Sequence, residues 1–74
     1  MKSECEKVFI NTPFIKLDSF LKFAGAASTG GEAKMLISGG RVLVDNEVCR
    51  MRGKKLVPGN IVAVPGAGYE VASA

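Results

Sequence analysis

The chain has no histidine, no tryptophan, a single tyrosine and only two cysteines among its 74 residues. Without histidine it lacks the commonest general base and a principal metal ligand. Cys5 and Cys49 stand far apart and form no C-x-x-C pair, so they cannot supply a zinc site of the usual ligand count without carboxylates. The two thiols are read as reduced, with Cys49 a small buried hydrophobe. No apolar run reaches the length of a membrane span. The stretch from Met1 to Thr12 is too polar for a signal peptide and carries two early glutamates, so a cytoplasmic location is expected. A G-x-x-x-x-G-K-S/T loop is also missing, which leaves nucleotide hydrolysis unsupported. Asp18 and Glu32 have helix-terminal roles and Asp45 belongs to a turn. Together with Glu47 they make no acid/base pair. No enzyme activity, cofactor or metal is expected.

What is present is short, apolar and mildly basic. The chain is 47% hydrophobic and 23% charged, with 10 basic against 7 acidic residues for a net +3. Such a balance permits nucleic-acid binding without demanding it. The length bounds the chain to one domain, residues 1–74, with few side chains to spare for a buried active site.

The patterning changes period along the chain. Val8, Phe9 and Ile10 read as a strand that Pro13 prevents from pairing further. From Lys16, Leu17, Phe20, Leu21 and Ala24 fall at i, i+3, i+4 and i+7, which predicts a helix of about nine residues ending at a left-handed Gly25. Thr29 and Glu32 form a capping box for a second helix with an Ala33, Leu36, Ile37 stripe, ended by Gly39 and Gly40. So short a connection makes the helices meet at a corner. Arg41 to Arg50 reads as a hairpin with Asp45-Asn46 at its turn, which places Val44 opposite Glu47, Leu43 opposite Val48, Val42 opposite Cys49 and Arg41 opposite Arg50. Pro58-Gly59 signals another turn, followed by a strand from Ile61 to Val64. Gly66-Ala67-Gly68 reads as flexible, with Tyr69 to Val71 a further edge strand. The expected fold class is α+β: two short helices in a corner, packed on a small, mostly antiparallel sheet.

The cations collect at the joints. Arg50, Arg52, Lys54 and Lys55 are four positive charges in six residues, and Arg41 faces Arg50. A solvated loop is one reading. Phosphate contact is the other, because such clustering works against stability through repulsion. Lys16 and Lys34 lie on separate helices; each alone reads as a surface lysine, and if the helices meet at a corner the two flank a groove. Gly30 and Gly31 leave bare N–H groups at a helix start, where either a phosphate or a close helix contact fits. Phe23 is a candidate for stacking on a base, although packing under the hairpin is the commoner fate of such a ring.

The ordered run of these elements resembles the S-four domain, the RNA-binding module of the fourth protein of the small ribosomal subunit. The resemblance rests on Lys16-Leu17-Asp18, Gly25, Thr29 through Ala33, the Gly40-to-Asn46 segment, and Pro58-Gly59-Asn60-Ile61-Val62. It covers residues 16–64, about two-thirds of the chain. The T-G-G-E-A-K and R-x-R-G-K-K runs are similar to the stand-alone YaaA/YbcJ-type branch. One departure stands out: the family's arginine after the Ser/Thr of the second helix is Gly30 here. The resemblance implies an alpha-L helix corner and non-catalytic binding of structured RNA, either ribosomal RNA or a ribosome-assembly intermediate. A monomer is expected, with association to a ribosomal subunit. The residues expected to hold RNA are Lys16, Gly30, Gly31, Lys34, Arg41, Arg50, Arg52, Lys54 and Lys55. The competing reading is a protein-interaction adaptor or subunit that uses Leu43, Val48 and Phe23.

Overall fold

A computed structural model describes residues 5–74. The part of the leader-free reading that rests on residues 1–4 lies outside the described residues. In chain order the elements are β1 (Glu6–Ile10), β2 (Ile15–Lys16), α1 (Leu17–Phe23), α2 (Gly30–Ser38), β3 (Leu43–Val44), β4 (Glu47–Val48), β5 (Lys55–Leu56), β6 (Ile61–Val64) and β7 (Ala67–Ser73). Five strands form one sheet in the order β1-β7-β6-β3-β4, and β2 pairs with β5 in a separate two-stranded ribbon. Every pairing is antiparallel except that of β1 with β7. The fold is α+β, as the patterning implied.

Both helices stop by the same device. Gly25 and Gly40 have φ of +85° and +74°, values that cost a side chain dearly. In α1, Ala26 N–H reaches Leu21 O and Gly25 N–H reaches Lys22 O. In α2, Arg41 N–H reaches Leu36 O and Gly40 N–H reaches Ile37 O. These are paired Schellman closures, and they turn the chain out of each helix within two residues.

The start of α2 follows the capping-box reading with one change. Thr29 Oγ1 accepts the Glu32 N–H at 3.1 Å, but the Glu32 carboxylate takes the N–H of Ser28 rather than that of Thr29, at 2.6 Å. The shorter α1 has a simple cause. Lys16 is held in extended conformation by pairing with Lys55, so the helix begins one residue later.

The core lies between the helices and the inner sheet face. Leu17, Phe20, Leu21, Ala33, Ile37, Val42, Leu56, Val62 and Val71 are fully buried. Phe20 meets Tyr69 edge-on, with ring centroids 6.2 Å apart. Leu36 is only half-buried, so Ala33 and Ile37 form the true inner stripe of α2. Cys49 is also half-buried, and both Cys5 and Cys49 are free thiols.

The C-terminal segment departs most from expectation. Pro65-Gly66 forms a tight turn, with Gly66 at φ +84°, and Val64 pairs with Ala67 across it. The supposedly flexible Ala67 and Gly68 therefore belong to β7. That strand is interior rather than an edge, because β1 pairs along its other side from Glu6↔Tyr69 to Ile10↔Ser73.

Candidate nucleic-acid interface

The hairpin has the register its turn dictates. Leu43 pairs with Val48 and Val44 with Glu47, and Cys49 N–H donates to Val42 O at 2.9 Å. Asp45 and Asn46 sit at φ +52° and +72°, the two consecutive left-handed residues of a type I′ turn. Asp45 does more than turn the chain. Its carboxylate accepts from Asn60 Nδ2 at 2.7 Å and from the Ile61 N–H at 2.9 Å, which ties the hairpin tip to the start of β6.

The basic segment after the hairpin is docked rather than loose. Leu17 N–H donates to Lys54 O at 2.9 Å, and Asp18 N–H donates to Arg52 O at 3.2 Å. The N-terminus of α1 is thus capped by carbonyls of the cationic stretch. Lys54 N–H closes a turn onto Met51 O, and Lys55 enters β5 directly opposite Lys16. Lys16, Arg52, Lys54 and Lys55 therefore gather at one end of α1, all exposed.

A second group lies at the other end of α1, roughly 10 Å away for a seven-residue helix. Here Gly30 and Gly31 begin α2, and their N–H groups donate to no protein acceptor among the described residues. A Cβ on Gly30 would lie 3.9 Å from Lys22 Nζ. Lys34 follows Gly30 by one turn on the same strip of α2. The sequence does not single out Lys22, because its i,i+4 spacing from Asp18 suggests a helix-surface pair. In the structure Asp18 Oδ1 instead accepts the neighbouring Ser19 N–H. Only the proximity of the two helices at the corner shows where Lys22 points.

The third group sits at the far end of α2, about 13 Å from its start. The Arg50 guanidinium lies against Gly40, where a Cβ would come within 2.6 Å of Nη2, and Arg41 packs beside Gly39. The left-handed glycine is thus also a seat for an arginine. An open groove lined by Thr29, Gly31, Met35, Leu36 and Arg41 runs along α2 toward this end. The nine expected residues fall into three groups, of which the first and third adjoin, because Arg50 stands only two residues before Arg52.

Phe23 is 61% exposed and Val48 52% exposed, so neither ring nor valine is packed beneath the hairpin. Among the described residues, no His/Cys/Asp/Glu group could hold a metal ion, and no helix is long and apolar enough to cross a membrane.

A known family model, the S4 domain, matches the chain over residues 8–72. The chain belongs to the S4 domain family. It is 41% identical over 61 residues to a Bacillus subtilis (strain 168) protein named as a probable ribosome maturation protein, RlbA. That match covers 82% of this chain and 86% of the relative. It also superposes on the solution structure of YbcJ from E. coli with a TM-score of 0.73 and 28% identity, over 99% of this chain and 94% of YbcJ. That structure is described as revealing an alpha-L motif involved in RNA binding. Within this S4 domain the arginine expected after Thr29 is replaced by Gly30, with Lys22 Nζ close to that position.

Proposed function

We propose that the chain, acting as one unit over residues 1–74, binds structured RNA without catalysing a reaction. Its target is ribosomal RNA or a ribosome-assembly intermediate, which it meets in the cytoplasm as a monomer. The observation that carries this reading is the docking of Arg52 to Lys55 on the N-terminus of α1, which gathers these cations beside Lys16 and the helix corner. Cations at one end of α1 and bare N–H groups with Lys34 at its other end, about 10 Å along the helix, suit a folded phosphate backbone better than a single anion, and shape-based recognition of RNA uses such spaced contacts. The RNA-binding motif described for YbcJ and the maturation role in the name of the Bacillus relative support the same direction.

The test exploits how the segment is held. Its anchoring bonds are made by backbone carbonyls, so Arg52→Gln, Lys54→Gln and Lys55→Gln combined should leave the fold intact. RNA affinity should fall for all sequences. The plot of log affinity against log salt should flatten by about 0.7 to 0.9 for each phosphate no longer neutralised. Unchanged affinity and slope in a folded variant would remove this segment from the interface.

A second reading, a protein adaptor, draws on the exposed Phe23 and Val48 with half-buried Leu43. A partner held by that apolar surface would respond little to salt, so the same titration separates the two.

A further inference from the structure

The β2/β5 ribbon carries two features that folding alone does not explain. The pairing Ile15↔Leu56 and Lys16↔Lys55 fixes which side chains share a face. Leu56 is fully buried and Ile15 packs against the core, so their side is the inner one. Lys16 and Lys55 project from the outer side, directly opposite one another, an arrangement that costs stability through like-charge repulsion. Phe14 joins them there. Its ring lies 4.8 Å from Lys55 Nζ and remains 40% exposed. Val57, two residues beyond Lys55, is 47% exposed on the same alternation.

The backbone of both strands beside the ring is tied down. Thr12 Oγ1 donates to Phe14 O at 2.8 Å and fixes the approach to the ribbon. Val57 N–H donates to Asn60 Oδ1 at 2.7 Å, and Asn60 N–H returns to Val57 O at 3.0 Å. An exposed aromatic on a hydrogen-bonded backbone, beside two opposed lysines, is therefore a defined surface and not a frayed edge.

We propose that this outer face is a subsite for one unpaired nucleotide of the bound RNA, with the base stacked on Phe14 and its phosphate between Lys16 and Lys55. The inference rests on the RNA-binding reading and adds to it a preference for single-stranded over fully paired segments. A phosphate between the two ammonium groups relieves their repulsion. A base covers apolar ring surface that water now meets, and stacking tolerates any base because every base has a π-face. Lysine suits this arrangement because its flexible stem lets Lys55 Nζ leave the ring for a phosphate. An acidic peptide would satisfy the lysines but has no flat group to cover the ring.

The test compares a blunt RNA duplex with the same duplex carrying a single-stranded extension. Phe14→Leu keeps apolar bulk and both lysines but removes the π-face. Affinity for the extended RNA should drop roughly 5- to 150-fold, the usual worth of one base–aromatic stack, with binding to the blunt duplex and the salt slope unchanged. Equal weakening on both RNAs, or no weakening on either, overturns the subsite while leaving RNA binding itself intact. Failure of the wild-type chain to bind either RNA overturns the broader reading instead. Phe14→Trp gives a measurement independent of affinity, because the chain has no other tryptophan. Its emission should be quenched by the extended RNA and not by the blunt duplex, and identical emission with both refutes the stack.

Discussion

Gly40→Ala probes a place where a helix stop and a cationic side chain share an atom-level contact. Gly40 has φ +74°, and a Cβ there would sit 2.6 Å from Arg50 Nη2 and 3.2 Å from Cζ. The two consequences are separable. The left-handed backbone costs an L-residue about 1–2 kcal/mol whatever surrounds it. For a domain of this size that is a fall in melting temperature of roughly 4–16 °C. The steric part costs little stability, because the clashing group is the far end of a flexible side chain, but it unseats the guanidinium. A cycle with Arg50→Ala tells the two apart. The melting loss from Gly40→Ala should be the same, within about 0.5 kcal/mol, with or without Arg50. RNA affinity should behave differently: the double variant should bind no more weakly than Arg50→Ala alone, since Gly40 acts on RNA only through that arginine. A melting temperature unchanged by Gly40→Ala would refute the left-handed closure of α2. Fully additive reductions of RNA affinity would refute the seat.

Ile37→Ala should destabilise the domain by about 2–5 kcal/mol in urea or thermal unfolding, because Ile37 is fully buried. Leu36→Ala should cost only about 1 kcal/mol, since that side chain is half-buried. A reversed order would put the other face of α2 inside. Asp45→Ala removes acceptors for Asn60 Nδ2 and the Ile61 N–H, and should cost about 1–3 kcal/mol with faster hydrogen exchange at Ile61. Asp45→Asn, which tolerates the left-handed turn and keeps one carbonyl acceptor, should lose less. Equal exchange at Ile61 in all three proteins would deny the brace.

Where local chemistry dictates geometry, the sequence was readable. The Asp45-Asn46 pair sets a two-residue turn, and that turn alone sets the pairing of Leu43 with Val48 and Val44 with Glu47. Thr29, Glu32, Gly25 and Gly40 marked helix ends because capping needs those residue types. What stayed hidden depends on contacts between distant segments. Two-residue strands such as Ile15–Lys16 and Lys55–Leu56 are too short to show a period, so the opposition of Lys16 and Lys55 was invisible. Lys22 reaches Gly30 only because the corner folds α1 against α2. Tyr69 and Val71 looked like an edge because nothing in their own stretch announces that β1 will lie beside them. Leu36 and Ile37 are adjacent and equally apolar, and which faces inward depends on how α2 rolls against the sheet.

The insertion of β7 between β1 and β6 also imposes an order of events during synthesis. Val8 is made long before Val71, yet among the described residues its strand pairs only with the segment around Val71. At roughly 5–20 residues per second, the sixty-odd residues between them take about 3–12 seconds to emerge. Through that interval β1 lacks its partner strand, so Ile10, buried in the finished fold, has no β7 beside it, and contacts so distant along the chain close slowly even once both partners are present. The helix corner and the β2/β5 ribbon are complete in sequence by Leu56, whereas the sheet beneath them waits for Ser73. The cationic surface is therefore translated well before the platform that stiffens it.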